Sequence, residues 1–178
     1  DSPVLTRTRQ RLLRPAVAGE FFRAVVERAR ASKLMSSEHF TVDGTLIEAC
    51  ASLKSFKKKG ANKDDEPPPD DPGNPTVNFH GEKRSNATHA STTDPEAKLA
   101  RKGNSQEAKL AYSAHALMEN RNGLLVDLRI AEANGRAECE TALAMLDDYK
   151  LAIGPITVGG DKGYDSTEFV TECRAIDV

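Results

Sequence analysis

The spacing of apolar residues changes its period along the chain. Residues 16–34 place an apolar side chain at about every fourth position, with charged residues between, and this spacing predicts an amphipathic helix. The apolar positions of this stretch are Val17, Phe21, Val25 and Ala29. In residues 39–43 apolar and polar residues alternate instead, which predicts a short strand that Gly44 ends.

The second half of the chain has the pattern of a β-hairpin. Apolar and polar positions alternate over residues 110–118, and a largely apolar run follows at residues 124–133. Asn122-Gly123 separates the two runs, and this dipeptide is the strongest short signal for a tight turn between antiparallel strands.

After the hairpin, the pattern predicts a helix over residues 136–149, a strand over residues 155–158 and a last helix capped by Ser166. This order indicates an α/β fold, a mixed sheet with flanking helices, in which a helical crossover lays the last strand parallel to an earlier one. If its neighbour is the first predicted strand, Asp43 and Asp161 end side by side at one edge of the sheet.

Residues 57–109 differ from the rest of the chain. Six of the nine prolines lie between residues 67 and 95, beside a run of charged residues, and large apolar residues are scarce. This composition predicts a flexible insertion. Within it, Asp94 or Thr93 could cap a short helix that has Pro95 at its first position.

The composition adds two facts about possible partners and location. The net charge of the chain is −2, but it is unevenly distributed. The front third, residues 1–60, has a net charge of +6, and the remainder has a net charge of −8. A basic front third suits a polyanion such as DNA, although a solvated basic helix would have the same charge. The three cysteines lack metal-ligand spacing, and no apolar run approaches the roughly 20 residues of a membrane helix, so we expect an intracellular protein with reduced thiols.

Two aspartates that follow strands, Asp43 and Asp161, are candidates for a metal site. Two neighbouring carboxylates repel each other, and Mg²⁺ or Mn²⁺, which prefer oxygen ligands, would remove that repulsion. Such cations can serve the displacement of a phosphodiester. The alternative is structural, because aspartate is common at strand ends as a turn former and helix cap.

Four stretches of the sequence, taken together and in this order, resemble the DDE-class insertion-sequence transposases of bacteria: "FTVDGTLIEACASLKSF", "STTDPEAKLARKG", "YSAHALMENRNGLLVD" and "GGDKGYDS". The resemblance implies an RNase H-like fold and metal-dependent cleavage and joining of DNA strands at transposon ends. It makes Asp43 the first catalytic and metal-binding acid and Asp161 the second. It also suggests DNA contacts by Lys162 and Tyr164.

The resemblance further implies a division of the chain into segments. Residues 1–14 look like the tail of an N-terminal DNA-binding region, and its arginines that we expect to contact DNA are Arg7, Arg9 and Arg11. Residues 15–56 and 110–178 would form the catalytic domain, and the insertion at residues 57–109 would separate them.

In the family that the sequence resembles, a third catalytic acid, a glutamate, lies on a helix well downstream of the second aspartate. Glu168 and Glu172 come too soon after Asp161 to match it, so we expect an RNase H-like domain that is incomplete at its C-terminus and inactive alone. One alternative is a non-catalytic remnant that binds DNA, a second copy or a full-length transposase near the bacterial nucleoid. Another is an RNase H-like nuclease with a different third acid.

Overall fold

The computed structural model describes residues 8, 15–60, 78–79, 82–102 and 106–178. The arginines for which we expect DNA contacts, Arg7, Arg9 and Arg11, lie outside the described residues, as does most of the segment 1–14. The first helix, α1 (Pro15–Ala31), confirms the helical spacing of the sequence, with proline at the first position, where its missing N–H is not needed.

The central sheet has five strands: β1 (His39–Glu48), β6 (Lys98–Ala100), β7 (Lys109–Glu119), β8 (Leu124–Glu132) and β9 (Thr157–Gly159). Strand β7 pairs antiparallel with β1 along one edge and with β8 and β6 along the other. Strand β9 pairs parallel with the other edge of β1. The α/β class, the mixed sheet and the parallel pairing of the last strand with the first are therefore confirmed.

Strand β1 is longer than its alternating pattern predicts. We expected Gly44 to end it, but the strand continues to Glu48, and Gly44 lies opposite His115 in the ladder with β7. The prediction was wrong because β7 supplies a hydrogen-bonding partner for the whole of β1, and a glycine inside such a ladder needs no turn.

The predicted hairpin is confirmed. Strands β7 and β8 are joined by a turn in which Gly123 has a positive φ of 67°. The side chain of Glu119, which is fully buried, accepts hydrogen bonds from the backbone N–H groups of Arg121 and Asn122 at 2.7 and 3.0 Å. The carboxylate thus satisfies the backbone donors of the turn.

The described parts of residues 57–109 consist of short strands and turns. Three of the strands are β3 (Asn78–Phe79), β4 (Glu82–Lys83) and β5 (His89–Ser91), and β5 pairs with β2 (Phe56–Lys58). Strand β6 joins the central sheet beside β7. The flexibility of this insertion stays a prediction.

The short helix predicted near Asp94 is not formed. The residues there make a turn, in which Asp94 accepts a hydrogen bond from the Tyr112 hydroxyl at 2.5 Å instead of capping a helix. Ser91 Oγ accepts from the backbone N–H groups of Thr93 and Asp94 at 3.2 and 3.0 Å. These local bonds compete with helix formation, and Ala97, buried to 1% exposure, anchors the turn on the core.

One face of the sheet packs against α2 (Ala137–Ile153), and α3 (Thr167–Ala175) follows β9 with Ser166 as its N-cap, as predicted. The core side chains between the sheet and these helices include Phe40, Val42, Leu117, Met145, Leu146 and Phe169. The other face of the sheet carries exposed apolar side chains, namely Ile47, Met118, Leu128 and Ile130. None of the helices that the structure describes is both long and apolar enough to cross a membrane.

The apolar stripe of α1 is exposed over much of its length. Phe21 is 65% exposed and Val25 50% exposed, whereas Val26 is buried. The guanidinium of Arg30 lies over the ring of Tyr149 on α2, 5.3 Å from the ring centroid. A cation over an aromatic ring thus connects α1 to the core.

Candidate active site

Strands β1 and β9 bring the two sequence-predicted aspartates to one place. The parallel register pairs Thr41 with Gly159, and Asp43 and Asp161 each lie two residues further along their chain segments. Strand β9 ends at Gly159 while β1 runs on, so both aspartates lie where the two segments separate. Both are exposed to solvent. Asp161 follows the carboxyl end of β9, and such ends are a common place for ligand sites in α/β sheets, whereas Asp43 lies inside β1.

Asp161 also has a structural role. Its Oδ1 accepts a hydrogen bond from the backbone N–H of Gly163 at 2.7 Å and caps the short 3₁₀ turn Lys162–Tyr164. The structural alternative for this aspartate, a turn cap, is therefore realised in the fold. One carboxylate oxygen is engaged in this way, and capping fixes the orientation of the carboxyl group at the strand end.

A third acidic residue, Glu138 in the first turn of α2, reaches the same place. A Cβ built on Gly44 would collide with Glu138 Oε1, so the carboxylate lies directly against the backbone of β1. A Cβ built on Gly163 would lie 2.9 Å from Asp161 Oδ1 and 3.9 Å from Glu138 Oε2. Both carboxylates therefore face the same point beside the 3₁₀ turn.

Sequence reasoning missed Glu138. A glutamate in the first turn of a helix is ordinary, because the helix dipole favours negative charge there, and the helix itself is capped by Asn134, which accepts from the N–H groups of Arg136 and Ala137. The one signal in the sequence is Gly44 within a strand, because an internal glycine often marks a close approach by another group.

The electrostatics of the three acids are coupled. Burial raises the pKa of Glu138, and the negative charges of Asp161 and then Asp43 raise it further. Burial likewise raises the pKa of Tyr164, with further contributions from the charges of Glu138, Asp43 and Asp161. The negative charges of Asp161 and Asp43 thus disfavour the ionised form of Glu138.

Tyr164, which we expected to contact DNA, is buried under the site. It is 4% exposed, and its ring lies 5.3 Å from the ring of Phe169. A Cβ on Gly160 would lie only 2.9 Å from the Tyr164 ring, so the glycine before Asp161 makes room for the tyrosine. The Tyr164 hydroxyl has no hydrogen-bond partner among the residues that the structure describes. Lys162, two residues before Tyr164, is exposed.

A cleft of about 500 Å³ opens next to Gly44 and Glu138. Two basic residues, Arg101 and Lys102, lie on its wall, and both are exposed. The polar side chains of Asn86 and Asn134 also line it. The cleft lining thus includes one acidic side chain, Glu138, and two basic ones, whose positive charge suits a chain of phosphates.

His115 lies behind the site, on β7. It is fully buried, and burial lowers its pKa. In the ladders it lies opposite Gly44 on β1 and Arg129 on β8. Neither ring nitrogen bonds to any residue in the described part of the chain.

The donor set fits an open site for Mg²⁺ or Mn²⁺. No three His, Cys, Asp or Glu side chains in the described ranges come close enough together to enclose a metal ion. Magnesium, however, is usually held by one or two carboxylates together with waters and substrate phosphates. Asp43, inside β1, and Asp161, two residues after the end of β9, are both exposed and offer oxygen donors of that kind.

The fold is consistent with that of the DDE class of transposase domains. A family model described as "Transposase DDE domain" matches residues 35–178, and the chain belongs to this family. The matched range contains the whole central sheet and all three acidic residues of the site. No curated protein and no solved structure matches the chain. The RNase H-like class predicted from the resemblance is confirmed.

Proposed function

We propose that this domain supplies Asp43 and Asp161 as the catalytic, metal-binding acids for metal-dependent cleavage and joining of DNA strands at transposon ends, and that it cuts DNA only inefficiently on its own, as the sequence predicts. The observation that carries the proposal is the parallel pairing of β1 with β9, which brings together two aspartates from opposite ends of the domain. Membership of the transposase family supplies the reaction class. The DNA would be that of the bacterial nucleoid.

Each residue has a distinct task in this proposal. Asp43 and Asp161 hold Mg²⁺ or Mn²⁺ by their carboxylate oxygens, and the cap on Asp161 keeps its carboxyl group oriented. The cation, when bound, offsets the repulsion of the acids and polarises the phosphodiester. Lys162, exposed beside Asp161, offers a positive charge to a DNA phosphate. Tyr164, being buried, supports the loop that presents Lys162.

The test is cleavage of a supercoiled plasmid in the presence of Mn²⁺. We expect Asp43→Asn and Asp161→Asn each to lower the rate by about 100-fold or more, since removal of even an outer-shell partner of a metal site costs 10–100-fold. Asp147→Asn, at an exposed position on α2, is the matched control and should cut like the unaltered protein. Chelation of the metal by EDTA should abolish cutting.

Two outcomes would contradict the proposal. Cleavage that continues unchanged in both the Asp43→Asn and the Asp161→Asn variant would show that these two aspartates are not the catalytic acids. Salt-dependent DNA binding without any metal-dependent cleavage would favour the alternative, in which the chain binds DNA or another transposase chain and does not cut.

A further inference from the structure

We propose that Asn86 is a positioning residue for DNA binding, which holds β6 in place so that Arg101 and Lys102, directly after this strand, lie on the wall of the cleft. The inference rests on the proposed function and deepens it, because it concerns how the chain presents positive charge to a DNA strand. Asn86 lies in the turn before β5, and it lines the same cleft as the two basic residues.

The first step is a pair of hydrogen bonds between Asn86 and Leu99, the middle residue of β6. The side-chain Nδ2 of Asn86 donates to the Leu99 carbonyl at 2.9 Å, and its Oδ1 accepts from the Leu99 backbone N–H at 2.8 Å. In an antiparallel sheet, a neighbouring strand bonds to the N–H and the C=O of the same residue in this way. The Asn86 side chain therefore takes the place of a further strand beside β6.

The second step is the edge of β6 on which these bonds lie. Leu99 pairs with Leu110 in the antiparallel ladder between β6 and β7. Because both backbone polar groups of Leu99 bond to Asn86, they point away from β7. Such groups stay unpaired on an edge strand unless another part of the chain covers them. Asn86 covers this edge, so the three-residue strand is held from both sides.

The third step is the turn that carries Asn86, which is itself fixed. The backbone N–H groups of Thr88 and His89 both donate to the Ser85 carbonyl, at 3.1 and 2.8 Å. His89 is buried, and its ring stacks on that of Phe56 with the centroids 5.6 Å apart. Asn86 therefore joins the strand pair of β2 and β5 to β6 of the central sheet.

The fourth step leads from β6 to the basic wall. Arg101 lies two residues after Leu99, so the position of β6 restricts where the side chains of Arg101 and Lys102 can lie. Both side chains are exposed and line the cleft. Long basic side chains lose conformational freedom when they bind a phosphate, and a fixed backbone reduces that cost. The Asn86 bonds thus raise DNA affinity through Arg101 and Lys102.

The competing account is that Asn86 stabilises the fold and does nothing more. In that case any effect of its removal on DNA binding would be the same whether Arg101 and Lys102 are present or absent. Positioning predicts instead that the effect depends on these two residues. A double-mutant cycle measures this dependence, because contributions that act through a shared partner are not additive.

The deciding experiment is fluorescence anisotropy of a labelled DNA duplex with the 178-residue chain. We expect Asn86→Ala to weaken DNA binding about fivefold, the factor that one hydrogen bond is usually worth. In a chain that already carries Arg101→Ala and Lys102→Ala, the same substitution should change the affinity by less than about twofold. Urea denaturation establishes that every variant is folded in the assay.

Asn122→Ala is the matched control. The Asn122 side chain also donates to a backbone carbonyl, that of Leu34 at 2.5 Å, but it follows the opposite end of β7 from the one that β6 pairs with. This variant should bind DNA like the unaltered chain.

Three results would overturn the inference: unchanged affinity in folded Asn86→Ala, an equal loss with and without Arg101 and Lys102, or the same loss in Asn122→Ala. The proposed function fails by a different measurement, if plasmid cleavage does not require Mn²⁺ or either aspartate. A lack of DNA binding by the unaltered chain would overturn both.

Discussion

At the scale of single residues, three buried polar side chains behave differently. Glu119 is fully buried and accepts two backbone hydrogen bonds from the hairpin turn, which makes its role structural. Tyr164 and His115 are equally hidden, but their polar atoms have no hydrogen-bond partner in the part of the chain that the structure describes. A buried polar group without a hydrogen bond lowers the free energy of unfolding unless another interaction compensates. The burial of Tyr164 and the burial of His115 therefore each require an explanation.

For His115 we predict an effect of pH on stability. Burial lowers the pKa of its imidazole below the usual 6.5, so the unfolded chain takes up this proton more readily than the folded one. The stability that the protein has while His115 is neutral is fully present above pH 6.5. It is lost as the pH falls from 6.5 through the pKa of His115 in the folded protein. Nearby Arg129 is held by Asp127 and Asp148 at 2.8 and 2.7 Å.

The measurement is the free energy of unfolding in urea at about pH 7.5 and at about pH 5.5. The lower value is chosen because the carboxylates begin to titrate below it. We expect His115→Leu, which is apolar and close in volume, to lose less stability between the two pH values than the unaltered protein. An equal loss in both proteins would show that His115 does not titrate in this range. His39→Leu, at an exposed position, is the control and should keep the original dependence.

The candidate site was partly predictable at this scale. The sequence pattern predicts Asp43 and Asp161 at strand ends; Asp161 does follow β9, but Asp43 lies inside β1, because β7 pairs with β1 beyond Gly44. Glu138 was not predictable, because the sequence does not show which of the two acids in the first turn of α2 faces Gly44. That choice depends on how the helix is rotated against the sheet, which only the packing of the core determines.

At the scale of helices and strands, the sequence correctly predicted those features that depend on residues close together in the chain. The Asn-Gly turn, the alternation in β7 and the cap of α3 all involve neighbours in sequence, and the structure has each of them. The continuation of β1 past Gly44 and the turn at Asp94 depend instead on β7, through its ladder with β1 and the hydroxyl of Tyr112. Long-range partners override local propensity, and the wrong predictions lie at such positions.

The hairpin turn gives a prediction at this scale. Gly123 has a positive φ, which costs a residue with a side chain about 1–2 kcal/mol. We therefore expect Gly123→Ala to lower the free energy of unfolding by about 1 kcal/mol. Gly135→Ala is the control, since its Cβ would meet no atom within 4 Å, and stability there should stay the same or rise slightly. Urea denaturation measures the free energy of unfolding of both variants. If Gly123→Ala is as stable as Gly135→Ala, the turn does not require glycine at position 123.

At the scale of the whole molecule, the acids and the bases occupy different parts of the fold. The acids come from β1, α2 and the loop after β9, whereas the basic wall of the cleft, Arg101 and Lys102, follows β6. The insertion between the two halves of the domain therefore contributes to the cleft as well as to the sheet. A DNA strand lying in this cleft would meet the positive charges of Arg101 and Lys102 and the carboxylate of Glu138.

This arrangement predicts where DNA binds, given the proposed function. We expect the double substitution Arg101→Ala and Lys102→Ala to weaken DNA binding and to reduce the slope of log affinity against log salt concentration by about 2, because each phosphate contact contributes about 0.9. The matched control is Arg23→Ala with Arg28→Ala, which removes two exposed charges from α1. Fluorescence anisotropy of a labelled duplex between about 50 and 200 mM salt measures both quantities. A slope that falls in the α1 variant and stays the same in the cleft variant would move the DNA path away from the cleft to the basic front third of the chain, residues 1–60, whose net charge is +6.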